Sequence, residues 1–149
     1  MEHSSLINAI AYCRVSTLEQ VTDGSSLGVQ EKGCRGRIES EGWNSFHDFW
    51  MEEGESAKTT DRTQLKNMMR FCEKHKGEIQ YLIIYRINRL SRNMEDFIML
   101  KSFFKKLGIQ IVSVTERLDD TPSGRFLENM LASQAQLDND IRSEQSKDG

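Results

Sequence analysis

Apolar residues fall in short blocks separated by polar stretches, and the period inside each block differs. Leu6 to Val15 is nearly continuous in apolar side chains and predicts a buried strand, and Tyr81-Leu82-Ile83-Ile84-Tyr85 predicts another over 81–86. Between them the pattern predicts a helix from Ser26 to Glu41, closed by Gly42, and a strand from Ser45 to Met51 that runs into an acidic, glycine-containing loop. Leu65, Met68, Met69 and Cys72 then recur at helical spacing. This sulfur-rich stripe reads as core rather than as a cofactor site. A helix from Met94 to Leu107, ended by Gly108, precedes a strand from Ile109 to Thr115. Alternating strands and helices predict an α/β fold, with a mostly parallel sheet covered by helices in three layers.

The last block is different. Glu116 to Pro122 contains Asp119-Asp120-Thr121 and the single proline, and reads as a mobile connector. Beyond it, Phe126, Leu127, Met130, Leu131, Gln134, Leu137 and Ile141 form a narrow stripe on a long helix from about Ser123 to Ser143. Such a stripe packs on its own sheet or on a second subunit, and periodicity does not choose between them.

Candidate chemistry sits at two strand ends. Tyr12, Arg14 and Ser16 are two apart and share one face of the first strand, while Asn88-Arg89-Leu90-Ser91-Arg92 follows the strand at 81–86. If the second cluster opens a helical turn, Arg89 and Arg92 are neighbours. Ligands of open α/β sheets gather at the carboxyl ends of the strands, where both clusters lie. One hydroxyl beside three guanidinium groups suits attack on a phosphodiester without a metal ion, because arginine presents a fixed fork of donors and keeps its charge. The same residues also suit a plainer role, with Ser16 capping a helix and the arginines on a solvated face.

Tyr12-Cys13-Arg14-Val15-Ser16-Thr17-Leu18-Glu19-Gln20 resembles the opening motif of the serine recombinases: resolvases, DNA invertases and phage-type integrases. The likeness continues in order through Ser26-Leu27-Gly28-Val29-Gln30, then Gly54-Glu55-Ser56-Ala57 with Arg62, then Arg86 to Asn93, and finally Ser133 to Glu144, which resembles the start of a long oligomerisation helix. Any one motif is weak and the ordered set is strong. The resemblance implies a resolvase-like fold in which Ser16 attacks a DNA phosphate to give a 5′-phosphoserine link and a free 3′-hydroxyl. Arg14, Arg89 and Arg92 would hold the phosphate, with Tyr12, Gln30, Ser56, Arg62 and Asn88 in support. It further implies double-stranded DNA recombination sites as partners, dimers that join into a tetramer, a possible directionality factor, and no cofactor or metal.

Departures from the family pattern are informative. Asn88 stands where an aspartate is usual, Ala57 replaces a glycine, Thr63 stands where proline is frequent, and Asn139 and Gln145 replace arginines of the late helix. The longer stretch between Ser16 and Gln30, with Asp23-Gly24 in it, resembles the large integrase-type branch. An alternative reading, a catalytically inactive resolvase-like module that binds DNA or oligomerises, follows from Asn88, Gln145 and the acidic balance. A flavodoxin-like phosphate-binding domain is a third, disfavoured because no glycine-rich phosphate loop follows the first strand.

Composition then sets limits. The chain has 149 residues, 37% hydrophobic and 29% charged, enough for one domain with one core. Its net charge of −3 argues against a stand-alone duplex binder, since duplex affinity depends on neutralising phosphates. The expectation is therefore an N-terminal catalytic fragment, residues 1–149, of a longer recombinase whose DNA-binding domains lie elsewhere. No run reaches the roughly 20 apolar residues of a membrane span, and Arg14 interrupts the first apolar block too early for a signal peptide, so the expected location is cytoplasmic. Cys13, Cys34 and Cys72 are odd in number and widely spaced, as reduced core thiols would be, and with His3, His47 and His75 they form no metal-ligand spacing.

Overall fold

The computed structural model describes residues 6–16, 26–54, 62–91, 93–118, 129–130 and 141. From Asn8 to Ser113 the described chain forms β1 (Asn8–Ser16), α1 (Leu27–Glu41), β2 (Asn44–Ser45), β3 (Trp50–Gly54), α2 (Thr63–Lys74), β4 (Tyr81–Ile84), α3 (Ile87–Leu90), α4 (Met94–Lys106) and β5 (Gln110–Ser113). They form one sheet in the order β2-β1-β4-β5, with β3 also against β1, and every pairing is parallel. Parallel neighbours require crossovers, and the helices supply them.

The faces of β1 and β4 separate two apolar clusters, as the two-residue period demands. Ile10, Tyr12, Leu82 and Ile84 point into the larger core, against Leu65, Met68 and Cys72 of α2 and Phe97, Leu100 and Phe104 of α4. Ala9, Ala11, Cys13 and Ile83 point the other way, toward Cys34 and Ile38 of α1. Burial on both sides explains why these strands read as unbroken apolar runs. All three cysteines are free and buried, and burial pushes the Cys72 thiol up to about 12.

Helix ends follow local chemistry. Ser26 accepts from the Val29 N–H at 3.2 Å and caps α1, which closes on Gly42 at φ 72°. Within α1, Gly33 lets the helix approach β4: a Cβ there would lie 2.9 Å from Cε1 of Tyr85. Asn93 caps α4 by accepting from the Asp96 N–H at 2.8 Å.

The strand expected over Ser45 to Met51 is instead two pieces. β1 advances three positions from Ala9 to Tyr12 while its partners advance five, from Ser45 to Trp50. The two extra residues belong to a stretch where Phe46 and His47 turn into a ring cluster. His47 stacks on Trp50 at 4.4 Å, and Phe46 meets Phe71 of α2 at 6.0 Å. β3 then runs to Gly54, so Glu52 and Glu53, expected in a loop, are strand residues. Glu52 is buried because its Oε2 accepts from the Gln64 N–H at 2.6 Å, in the first turn of α2.

β5 ends at Ser113, two residues short of the expected Thr115, although the Val114 and Thr115 N–H groups still donate to Ile84 O (2.9 Å) and Tyr85 O (3.2 Å). Within the expected connector, Leu118 is buried. Nearly all of the expected long helix, 123–143, lies outside the described residues.

Candidate active site

The carboxyl ends of β1 and β4 meet at one short turn, α3. Its four residues contain Asn88 and Arg89, and two arginines from elsewhere converge on its carbonyl oxygens. Arg14, near the end of β1, donates from Nη2 to Asn88 O at 2.6 Å and from Nε to Arg89 O at 3.3 Å. Arg62, entering α2, donates from Nη1 to the next carbonyl, Leu90 O, at 3.1 Å. Three consecutive carbonyls thus anchor two guanidinium groups that are far apart in sequence. Arg89 itself is 1% exposed.

Arg62 is also oriented by Asp96 of α4, whose carboxylate accepts two bonds at 2.7 and 2.9 Å. This fork-to-fork pair raises the Arg62 pKa further above its ordinary value, so the group stays charged. Arg14 keeps three of its five guanidinium N–H donors beyond the two bonded to α3, which leaves it able to meet phosphate oxygens.

Gln30 performs a task the sequence did not suggest. β4 ends at Ile84, opposite Tyr12, and the peptide of Arg14 faces the empty side beyond it. Gln30 fills that gap: Arg14 N–H donates to its Oε1 at 3.1 Å, and its Nε2 donates to Arg14 O at 2.9 Å. A fully buried side-chain amide therefore continues the ladder by one step. Expected from sequence to support a phosphate, Gln30 in the structure holds the peptide of Arg14.

Tyr12 is buried in the larger core beneath this site. Burial, and then the neighbouring Glu52 carboxylate, push its phenol pKa well above the usual value, against an opposing pull from Arg14 and Arg62. Tyr12 is thus a neutral phenol at any physiological pH. Its oxygen and Glu52 Oε1 are both buried without a hydrogen-bond partner among the described residues.

Of the residues picked from sequence, the structure brings together Tyr12, Arg14, Gln30, Arg62, Asn88 and Arg89. Ser16 closes β1 opposite Gly54, two residues past Arg14. The Ser16 side chain, Ser56 and Arg92 lie outside the described residues. Asn88 is exposed, and what it gives Arg14 is its backbone carbonyl. Sequence reasoning missed Glu52, Asp96 and Glu116. Asp96 carries one local signal, its place three residues after a capping asparagine. Nothing local points to its pairing with Arg62.

Comparisons with known proteins bear on the family and the fold. The family model described as the N-terminal domain of resolvase matches residues 9–149. A DNA-invertase of Enterobacteria phage P7 is 28% identical over 94% of this chain and 67% of its own length, so the chain spans about two thirds of that relative. A resolvase family site-specific recombinase from Streptococcus pneumoniae shares the fold at a TM-score of 0.79, with 21% identity over 96% of this chain and 95% of that one. The N-terminal catalytic domain of TP901-1 integrase does so at 0.75, with 24% identity over 91% and 98%. The ordered motifs, the parallel sheet with its arginine-bearing turn, and the match over nearly the whole length lead to one conclusion: the chain belongs to the resolvase family, as its N-terminal domain.

Proposed function

We propose that this domain carries out site-specific DNA recombination by serine-mediated cleavage and rejoining. The observation that carries this reading is the convergence of Arg14 and Arg62 on the carbonyls of the turn that bears Arg89, at the strand end that Ser16 closes. In the proposed step Ser16 Oγ forms a bond to a DNA phosphorus as the bond to the 3′-oxygen breaks. The serine proton is lost and the leaving 3′-oxygen gains one, leaving a 5′-phosphoserine ester and a 3′-hydroxyl. Rejoining reverses this at a new 3′-hydroxyl, with the number of phosphate esters unchanged. Arg14, Arg89 and Arg92 would stabilise the charge that develops on the phosphate. Donors fixed before substrate arrives are the condition for electrostatic stabilisation to be efficient, and the anchoring of Arg14 meets it.

The reading includes metal-independent chemistry and double-stranded recombination sites as substrate. It also includes a longer chain that supplies DNA-binding domains, association from dimer to tetramer through the late helix, a possible directionality factor, an integrase-type branch and a cytoplasmic setting. Among the described residues no helix is long and apolar enough to cross a membrane. Asn88 contributes a backbone carbonyl to the anchoring of Arg14, a contact that does not depend on its side chain.

The test is a covalent trap. The full recombinase, incubated with a nicked site that stalls rejoining, should give an adduct mapped by mass spectrometry to Ser16 and absent in Ser16→Ala. An adduct that persists in Ser16→Ala would overturn the assignment. Cleavage abolished by a chelator and restored by magnesium, in a protein that stays folded, would overturn the metal-independent part.

A further inference from the structure

The turn that gathers the arginines has a second anchor, on its other end. α3 is a single turn, too short to be stable alone, and its first N–H groups have no partner within the helix. The residue before it, Arg86, provides no side-chain cap. The acceptor comes instead from beyond β5: Ile87 N–H donates to Glu116 Oε1 at 2.7 Å. This carboxylate is itself held. Glu116 N–H donates to Ser113 Oγ at 3.2 Å, and the same buried hydroxyl lies 3.0 Å from Glu116 Oε1 and 3.1 Å from Tyr85 O, either of which can accept its one proton. Val114 and Thr115 extend the tie by bonding Ile84 O and Tyr85 O, the residues that lead into α3.

α3 is therefore fixed at both ends by groups of opposite sign. A carboxylate receives its leading N–H, and the guanidinium groups of Arg14 and Arg62 meet its trailing carbonyls. Both signs match the dipole of the turn. Glu116 belongs to none of the motifs that mark the arginines.

We propose that Glu116, with Ser113, is a positioning residue for the active site: it sets the orientation of the turn carrying Asn88 and Arg89, and thereby the carbonyl cradle of Arg14. The inference rests on the catalytic reading of Arg89 given above. Glu116 acts through the backbone of Ile87 and meets no substrate, so its removal should slow chemistry without weakening DNA binding. Glu116→Gln keeps the accepting oxygen while losing the charge. The glutamine variant should therefore recover the function that alanine removes.

The test measures covalent-complex formation in single turnover at saturating DNA, with binding measured separately, for the full recombinase and for Glu116→Ala and Glu116→Gln. Glu116→Ala should lower the rate at least about tenfold, the scale of one charge-assisted hydrogen bond, with DNA affinity within about twofold. Glu116→Gln should stay within about threefold of wild type. Hydrogen exchange at the Ile87 amide should accelerate in the alanine variant and stay protected in the glutamine variant. If the alanine variant does not fold, Glu116→Asp, one methylene short of Ile87, should show the same slowing. A wild type that forms no adduct would sink the functional reading and leave the Ile87 exchange to judge the tether. An active wild type with Glu116→Ala at full rate, or with rate and affinity falling together, would overturn this inference alone.

Discussion

Replacing Gln30 separates a structural clamp from a DNA contact, and the structure supplies the magnitude. The peptide N–H and C=O of Arg14 face the side of β1 where β4 has ended, and both bond only to the Gln30 amide among the described contacts. Gln30→Ala removes the two hydrogen bonds to Arg14 and strands both of its peptide groups. Each buried, unsatisfied polar group costs about 1–3 kcal/mol. Arg14 is half-buried and water can reach part of the gap, so the lower half of that range applies and the sum is about 2–4 kcal/mol. For a domain of this size that is a fall in Tm on the order of 10 °C.

The assay is equilibrium urea denaturation of wild type, Gln30→Ala and Gln30→Glu. Glutamate keeps an oxygen for the Arg14 N–H but sets a buried carboxylate against Arg14 O, where the amide had donated. It should destabilise more than alanine at neutral pH, because an ionised group in that position is desolvated beside a carbonyl. Protonating it restores a donor, so the gap between glutamate and glutamine should narrow as pH falls. A stability change for Gln30→Ala below about 0.5 kcal/mol, well under the cost of one stranded group, together with weakened DNA binding, would refute the reasoning. Gln30 would then be a phosphate contact.

Three further outcomes follow from the same geometry. Arg14→Ala should lower covalent-complex formation on the order of 10²–10³-fold while DNA affinity changes far less, since one preorganised donor is lost; equal losses would make it an ordinary phosphate anchor. Asn88→Ala keeps the carbonyl that holds Arg14 and should cost much less than Arg14→Ala in single-turnover cleavage; a loss as large would show that the side-chain amide works in the site. Tyr12→Phe tests the buried phenol through pH. Its folded pKa lies above the ordinary 10.0, so the stabilisation it gives is complete below about pH 10 and is lost as pH rises further. The phenylalanine variant should show a shallower alkaline loss in denaturation from about pH 9 to 11, to which the raised Cys34 and Cys72 thiols also contribute; identical slopes would show that Tyr12 does not titrate in the unfolding reaction.

Much of the fold was legible because its cause is local. Continuous apolar runs mark β1 and β4 since both faces of each strand are covered, and Ser26, Gly42 and Asn93 mark helix ends through their own side chains and backbone freedom. The break between β2 and β3 was not legible. It depends on Phe46 and His47 finding Phe71 and Trp50, a contact between distant segments that no periodicity encodes. The site divides in the same way. The arginines stand in recognisable motifs, whereas their anchors are backbone carbonyls at 88–90, and carbonyls leave no trace in residue identity. Glu52, Asp96 and Glu116 look like ordinary surface acids in the sequence, and only packing brings them to a helix N-terminus or to an arginine.

The placement of these acids bears on how an acidic domain could offer the phosphate site proposed for it. A free carboxylate beside the arginines would repel the substrate and compete for their donors. Here Asp96 takes one fork of Arg62, Glu52 takes an N–H of α2, and Glu116 takes an N–H of α3. Each already has a partner other than Arg14, and two of the three face helix N-termini, where negative charge is favoured. The acids can therefore hold the elements that carry the arginines while leaving Arg14 its remaining donors. Net charge misses this arrangement because it sums groups whose fields act in different places. A shift of α3 would carry the two carbonyls that hold Arg14 and would break the bond from Arg62 to Leu90 O while leaving Arg62 tied to Asp96, so the preorganisation of Arg14 belongs to the turn.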